Sequence, residues 1–307
     1  MENRMTSETT PLASLSAALA DAVTRNAPSL VTVNARRRLP ASGIVWSADG
    51  AILTADHVIE REEGIEVRLD DGRVLDATLV GRDPGSDLAV LRVGASGLSP
   101  VSLAAPDSLR VGNIVLALGR PAPDGPMASF GIVSTIGGPW RTRRGGEVEG
   151  YIRSDTTLFP GFSGGPLVDA HSLVVGLNSS RLGRGNGLSV PVSAMTRIAG
   201  DLLARGRVRR AFLGISSQVV RLTESMRAGL DGQETGLLIT AVEAASPAGE
   251  AGLLVGDILV TFAGEALTDT DDLQSLLGPG RIGQAVPARV VRGGTVTGVT
   301  ITVGERP

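Results

Sequence analysis

Gly43-Ile44-Val45-Trp46-Ser47-Ala48-Asp49-Gly50-Ala51-Ile52-Leu53-Thr54-Ala55 sets one short apolar run against another across a polar turn that ends in glycine. That is the pattern of a β-hairpin. The next stretch repeats it. Apolar runs at 65–69 and 74–80 flank Asp70-Asp71-Gly72-Arg73. Further short runs follow at 88–93, 114–119, 131–135, 151–154, 166–168, 173–177 and 188–190, and one precedes the first hairpin at 29–35. About a dozen short strands with glycine-rich turns and hardly any helix predict one or two antiparallel barrels. The exception at the front is 11–25, where Leu12, Leu15, Leu19 and Val23 recur at helical spacing.

The pattern changes near residue 192. A helix is expected over 192–204, with Met195, Ile198, Leu202 and Leu203 on one side. The basic run Arg205-Gly206-Arg207-Val208-Arg209-Arg210 after it reads as a solvated linker. Beyond it, strands are expected at 212–215, 237–242, 258–262, 288–292 and 296–303. Two short helices, 248–251 and 271–277, lie among them, the second behind Thr268 or Thr270 as N-cap. This tail is a small α+β module. The expected division is a tail over 1–13, a first domain over 14–200, a linker over 201–210 and a second domain over 211–305.

Composition narrows the chemistry. The chain has 307 residues, 29 basic and 32 acidic, for a net charge of −3, so charge makes no case for nucleic acid or an anionic membrane as partner. Every basic residue is arginine, which excludes a P-loop lysine, a Schiff-base lysine and a Ser-Lys dyad. There is no cysteine, so thiol catalysis, disulfides and cysteine metal sites are excluded. His57 and His171 are the 2 histidines, so no three-histidine zinc site can form. No apolar stretch reaches the length of a membrane span. Residues 1–10 carry Glu2, Arg4 and Glu8 and do not resemble a secretory signal, from which a cytoplasmic protein is expected.

One segment suggests catalysis. In Gly161-Phe162-Ser163-Gly164-Gly165-Pro166-Leu167 a serine stands on a tight loop just before a strand. Glycines allow backbone N–H groups to converge there, and removing one such donor from an oxyanion costs about 2.7–4 kcal/mol. Alone, the run is equally an ordinary turn. A hydroxyl nucleophile also needs a base and the base needs an orienting carboxylate. His57 stands just past the apolar run 51–55, and Asp87 opens Asp87-Leu88-Ala89-Val90-Leu91. The order His, Asp, Ser is that of the chymotrypsin-type arrangement. His171, in Asp169-Ala170-His171-Ser172, reads as an exposed turn residue.

With these segments the chain resembles the HtrA/Deg family of trypsin-like serine proteases with a C-terminal PDZ domain. The resemblance is carried by Leu53-Thr54-Ala55-Asp56-His57-Val58, by 87–91, by 153–167, by Ser42-Gly43-Ile44-Val45 and by Gly131-Ile132-Val133-Ser134, and it covers about residues 14–305. It implies a mainly β fold: a chymotrypsin-like double β-barrel followed by a small α+β PDZ domain. It implies an ATP-independent serine endopeptidase acting on exposed segments of unfolded or damaged proteins, with no metal or organic cofactor. His57 would be the general base, Asp87 its orienter and Ser163 the nucleophile. The N–H groups of Gly161 and Ser163 would form the oxyanion hole. Leu158, Ser180 and Leu182 would line a pocket for a small or medium apolar side chain.

Phe212-Leu213-Gly214-Ile215 resembles the carboxylate-binding loop of a PDZ domain, and Gly252-Leu253-Leu254-Val255-Gly256-Asp257-Ile258-Leu259 the turn and strand after its short helix. The N–H groups of Leu213, Gly214 and Ile215 would then receive a peptide's C-terminal carboxylate. The helix at 271–277 would wall the groove with Leu273 and Leu276 or Leu277. The family further implies the cell envelope or periplasm and a homotrimer. The aromatics that join family trimers near the N-terminus are missing, since none precedes Trp46. Phe162 stands where asparagine is common in the family, and its ring is expected either to narrow the site or to contact the leaving side. The loop 137–150 is short and basic, with Arg141, Arg143 and Arg144. Two other readings are a proteolytically silent PDZ binding protein or holdase on the same scaffold, and a non-peptide esterase.

Overall fold

The computed structural model describes residues 10–37, 39–138, 140–141, 147–148, 150–183 and 187–306. Arg143 and Arg144 of the basic loop and residues 1–9 lie outside the described residues. The chain divides into two compact units, Met1–Val208 and Arg209–Pro307.

The first unit opens with helix α1, Pro11–Asn26, capped by the Thr10 side chain, which accepts from Ala13 N–H at 3.3 Å. The helix therefore begins inside the expected tail. Leu19 and Val23 rest on the core, while Leu12 and Leu15 are exposed. The Asn26 amide donates to the Ser172 carbonyl at 3.1 Å and ties the helix end to a turn in the second barrel.

Strands β1 (Leu30–Asn34), β2 (Ala41–Val45), β3 (Ala51–Ala55), β4 (Ile65–Arg68), β5 (Val74–Asp83) and β6 (Leu88–Val93) close a barrel in the order β1-β2-β3-β6-β5-β4. The hairpin of the opening stretch pairs Val45 with Ile52 and Gly43 with Thr54. A second closed barrel is formed by β7 (Ile114–Gly119), β8 (Met127–Gly137), β11 (Tyr151–Ser154), β12 (Pro166–Asp169), β13 (Val174–Ser179) and β14 (Leu188–Pro191), in the order β11-β14-β13-β12-β7-β8. A small ladder of β9 (Trp140–Arg141) and β10 (Glu147–Val148) extends the segment after β8.

Residues of β2 and β3 are buried on both faces. A barrel strand keeps one face toward its own core, so full burial means that something covers the other. Part of the cover over the unit is helix α2, Val192–Arg205, which packs on β5, β6, β13 and β14. Met195, Ile198, Ala199 and Leu202 sit at the i, i+3, i+4, i+7 spacing of one helical stripe, and all four are buried. Gly206 caps this helix at φ +71°, and its N–H donates to Leu202 O at 2.8 Å. The expected linker over 201–210 therefore starts as the last turn of a packed helix, because Leu202 continues the apolar stripe.

In the second unit, β16 (Ile215–Arg221), β17 (Thr235–Val242), β18 (Ile258–Phe262), β20 (Ala285–Arg292) and β21 (Thr295–Thr302) form a sheet in that order, with β19 (Glu265–Ala266) beside β18. β15 (Ala211–Phe212) pairs with β22 (Gly304–Glu305). Helices α3 (Pro247–Glu250) and α4 (Thr270–Leu276) accompany the sheet. The strand expected at 212–215 is broken, since Gly214 takes φ +79°. The cap of α4 is Asp269, in a reciprocal capping box with Asp272, and neither Thr268 nor Thr270. A carboxylate there can accept two N–H groups at once, from Asp271 at 2.8 Å and Asp272 at 2.9 Å, which a hydroxyl does less well.

Candidate active site

Beyond β3 the chain makes one tight turn, Asp56–Val58, that carries His57. The turn is fastened from two sides. Asp56 N–H donates to the Asp87 carbonyl at 3.0 Å. Arg82 reaches across to the buried Asp56 carboxylate at 2.5 Å and to the carbonyls of Asp56 and Ile59 at 3.3 Å each. Burial works against the Arg82 charge, but Asp56 and Glu62 outweigh it and hold the guanidinium above its ordinary value.

Asp87 is fully buried just before β6 and takes φ +59°. A non-glycine residue in this region is strained by roughly 1–3 kcal/mol, least for Asp and Asn, and such strain gathers at functional sites. The conformation aims the carboxylate at His57. Asp87 Oδ2 lies 2.8 Å from Nδ1, and Oδ1 accepts from His57 N–H at 2.9 Å. Ser179, at the end of β13, donates its hydroxyl to Oδ2. The Ser179 oxygen in turn accepts from the N–H groups of Arg181 and Leu182 at 3.2 and 3.3 Å. A carboxylate on Nδ1 fixes the tautomer, leaving Nε2 as an acceptor.

Ser163 comes from the second barrel, on the turn before β12. Gly161 and Gly164 on either side take φ +89° and +87°. A Cβ on Gly161 would stand 2.4 Å from Pro121 Cβ, and one on Gly164 only 2.1 Å from the Ser42 carbonyl. Both glycines are therefore required by conformation and by space. Ser42 on β2 joins this turn to the first barrel. Its hydroxyl donates to Gly161 O at 2.7 Å and accepts from Arg120 N–H at 2.8 Å, and its N–H donates to Ser163 O at 3.1 Å. With the Gly161 carbonyl held by Ser42, the buried N–H groups of Gly161 and Ser163 have no acceptor among the described residues. Buried backbone donors without partners are rare, and a pair flanking a serine is the chemistry an oxyanion needs.

Ser163 Oγ itself is bonded to Ser180, 2.9 Å from its hydroxyl and 3.2 Å from its N–H. Ser180 Oγ is also 3.5 Å from His57 Nε2. The other two expected pocket residues pack against different core clusters. Leu158 packs on the core of the second barrel with Cδ1 where a Cβ of Gly187 would be, and Leu182 packs on the larger core cluster. Phe162 is turned away from the cleft. It is fully buried in the second core, with its ring against Gly119 and edge-on to Phe159 at 5.4 Å. Both expectations for this ring, narrowing the site or contact on the leaving side, are thus corrected, because the positive-φ glycine before it turns the side chain inward. His171 lies exposed in its turn.

Ser42, Arg82 and Ser179 were not picked out by sequence reasoning as parts of this site. The polar run Asn178-Ser179-Ser180 at the end of an apolar strand is the one local signal that Ser179 carries. Among the described residues no group of three or more His, Cys, Asp or Glu could hold a metal ion, and no helix is long and apolar enough to cross a membrane.

In the second unit, Gly214 O accepts from Glu243 N–H at 2.8 Å and Leu213 O from Ala248 N–H at 2.9 Å. The N–H groups of Leu213 and Gly214 have no acceptor among the described residues. Ile215 opens β16, which is an edge strand of its sheet. A Cβ on Gly214 would strike Ser246 Cβ at 2.2 Å, so this glycine is required by its neighbour as well as by φ. Leu273 of α4 belongs to the core, while Leu276 and Leu277 are half-buried.

Known proteins share both halves. Residues 41–177 match the model of the trypsin-like peptidase domain, and residues 211–303 that of the PDZ domain. A probable periplasmic serine endoprotease DegP-like of Ectopseudomonas mendocina (strain ymp) is 36% identical over 271 residues, which are 87% of this chain and 56% of the relative. Its counterpart in Marinomonas sp. (strain MWYL1) is also 36% identical over 271 residues, with 57% of the relative covered. The chain thus spans a little over half the length of these curated relatives. Among solved structures, the HtrA-type protease AlgW with tripeptide is 33% identical at TM-score 0.75, covering 94% of this chain and 97% of that one. The serine endoprotease from Yersinia pestis is 30% identical at TM-score 0.77, covering 94% and 98%. Sequence, barrel topology and the length shared with these structures agree that the chain belongs to the HtrA family of trypsin-like serine proteases with a C-terminal PDZ domain.

Proposed function

We propose that this chain is a serine endopeptidase that cuts exposed, extended segments of unfolded or misfolded proteins without ATP. The observation that carries the reading is the Asp87–His57 pair, 2.8 Å apart, joined through Ser180 to Ser163 on a turn whose two N–H groups have no acceptor among the described residues. Ser163 Oγ attacks the scissile carbonyl carbon and its proton goes to His57 Nε2. The carbonyl oxygen, now negative, is received by the N–H groups of Gly161 and Ser163. The C–N bond then breaks as Nε2 returns the proton to the amine. Water, deprotonated by the same nitrogen, attacks the acyl ester and releases Ser163. Asp87 keeps Nδ1 protonated throughout. Leu158 against Gly187 favours a small or medium apolar residue before the cut bond.

The second unit recruits C-terminal peptides. The N–H groups of Leu213, Gly214 and Ile215 receive the carboxylate, and the edge of β16 adds the peptide as a strand. The periplasmic relatives support a place in the cell envelope. The test is digestion of a permanently unfolded casein-type protein by wild type and by Ser163→Ala. Wild type should cleave, and Ser163→Ala should fold normally and lose about 10³-fold or more in rate. Equal rates in the purified pair refute the assignment of Ser163. A wild-type chain that neither cleaves protein nor reacts with a fluorophosphonate leaves the silent holdase as the reading.

A further inference from the structure

The Ser163 hydroxyl is held by one residue only. Among the described residues its hydrogen-bond partners are the hydroxyl of Ser180 at 2.9 Å and the N–H of Ser180 at 3.2 Å, while His57 Nε2 has Ser180 Oγ at 3.5 Å and no hydrogen bond with Ser163. Because Asp87 faces Nδ1, Nε2 is an acceptor, and the protons order themselves along the chain of groups. With Nε2 accepting, the order that satisfies all three groups has Ser163 O–H donating to Ser180 Oγ and Ser180 O–H turned toward Nε2. The N–H of Ser180 meanwhile occupies a lone pair of the oxygen that must attack. Both effects make Ser163 a poorer nucleophile. Its proton is on the wrong acceptor, and its electron density is drawn toward a donor.

We propose that Ser180 is a latch on the nucleophile, a positioning residue whose hydroxyl and N–H hold Ser163 Oγ off His57 until an extended peptide in the cleft displaces them. This rests on the reading of Ser163 as nucleophile. Release forms and breaks no covalent bond. The Ser163 O–H exchanges Ser180 Oγ for His57 Nε2, and the Ser180 groups turn to the peptide or to water. The same three atoms also describe a relay, in which Ser180 passes the proton on. The distances favour the latch. A relay needs two short links, and the second is 3.5 Å against 2.9 Å for the first. The N–H of Ser180 on the attacking oxygen opposes a relay as well. The latch also has firm footing. Ser179 beside it is fully buried, bonds to Asp87 and accepts from the N–H groups of Arg181 and Leu182, so Ser180 projects from an anchored backbone.

Ser180 is exposed, so its side chain can be changed without opening the core. The experiment compares the full chain as wild type, Ser180→Ala, Ser180→Thr and Ser163→Ala. It reads the second-order rate of labelling by a small fluorophosphonate, and kcat and KM on one chromogenic peptide. A hydrogen bond of ordinary net strength lost from the resting state should raise the labelling rate of Ser180→Ala roughly two- to tenfold. KM should fall by a similar factor with kcat nearly unchanged, since saturating peptide opens the latch in wild type too. Ser180→Thr keeps the hydroxyl and should label more slowly than Ser180→Ala. A Ser180→Ala chain that labels no faster than wild type overturns the latch and leaves the peptidase intact. A fall in its kcat overturns the latch in favour of the relay. No labelling of any chain, Ser163→Ala behaving like the rest, overturns latch and peptidase together.

Discussion

Truncating Phe162 to alanine should unfold the first unit at a much lower temperature. The ring is fully buried and lies so close on the second barrel that an ideal Cβ at Gly119 would stand 2.6 Å from its Cδ1. Phe→Ala at a closed core site costs about 3–5 kcal/mol, through lost transfer energy plus the cavity left behind. For a unit of this size each kcal/mol lowers Tm by roughly 2–4 °C, so the expected drop is roughly 6–20 °C. The same close approach yields a sharper test. Gly119→Ala alone forces its methyl into the ring and should cost about 1–3 kcal/mol. In the double variant part of that clash is gone, so the two costs should fall short of their sum by about 0.5–3 kcal/mol. Differential scanning calorimetry of the full chain, following the transition of the first unit, measures all four corners of the cycle. A drop below about 3 °C for Phe162→Ala, or additivity within about 0.5 kcal/mol, would falsify the placement of the ring in the core.

Ser42→Ala should leave the Gly161 carbonyl and the Arg120 N–H unpaired in a buried place, costing about 1–3 kcal/mol each. The fluorophosphonate rate should fall with it, because the Gly161 N–H loses its alignment; unchanged labelling and Tm would refute the stitch. In the second unit, burial raises the Asp257 carboxyl, but the fork of Arg292 at 2.7 and 2.8 Å and the N–H of Leu254 outweigh it and hold it below the usual carboxylate range. Hydrogen bonds from Thr268 lower Asp272 likewise. A depressed folded-state pKa contributes stability above the ordinary Asp value of about 3.9 and loses it as pH falls through the lower value. The melting of this unit should therefore soften with acidification below about pH 4, and Asp257→Asn should flatten that slope; a parallel slope in the variant counts against the ion pair.

The hairpins could be read from sequence because two apolar runs and a glycine turn are local. His57, Asp87 and Ser163 each end or open such a run, so their positions followed from the strands, aided by the family resemblance. The residues that complete the site are joined across long stretches of chain. Ser179 to Asp87 and Ser42 to Gly161 are tertiary hydrogen bonds with no local periodicity, and a serine in a strand carries no sign of its partner. Phe162 was misread for the opposite reason. It stands next to the nucleophile in sequence, but the dihedrals of Gly161 turn it to the other side. The cap of α4 was misplaced by one residue, since Thr268, Asp269 and Thr270 are all acceptable caps and only the geometry of Asp272 chooses.

The division of the site between the barrels also bears on how the chain comes to be active while it is being made. The proposed base and its orienter belong to the barrel whose strands end by residue 93, whereas the proposed nucleophile and the hydroxyl beneath Asp87 belong to the barrel completed after residue 179. Neither barrel by itself contains both halves of the reaction. A chain in which only one barrel has formed therefore lacks part of the proposed site. Ser42, whose hydroxyl and N–H reach from the first barrel to the serine turn, ties completion of the proposed site to the docking of the two barrels.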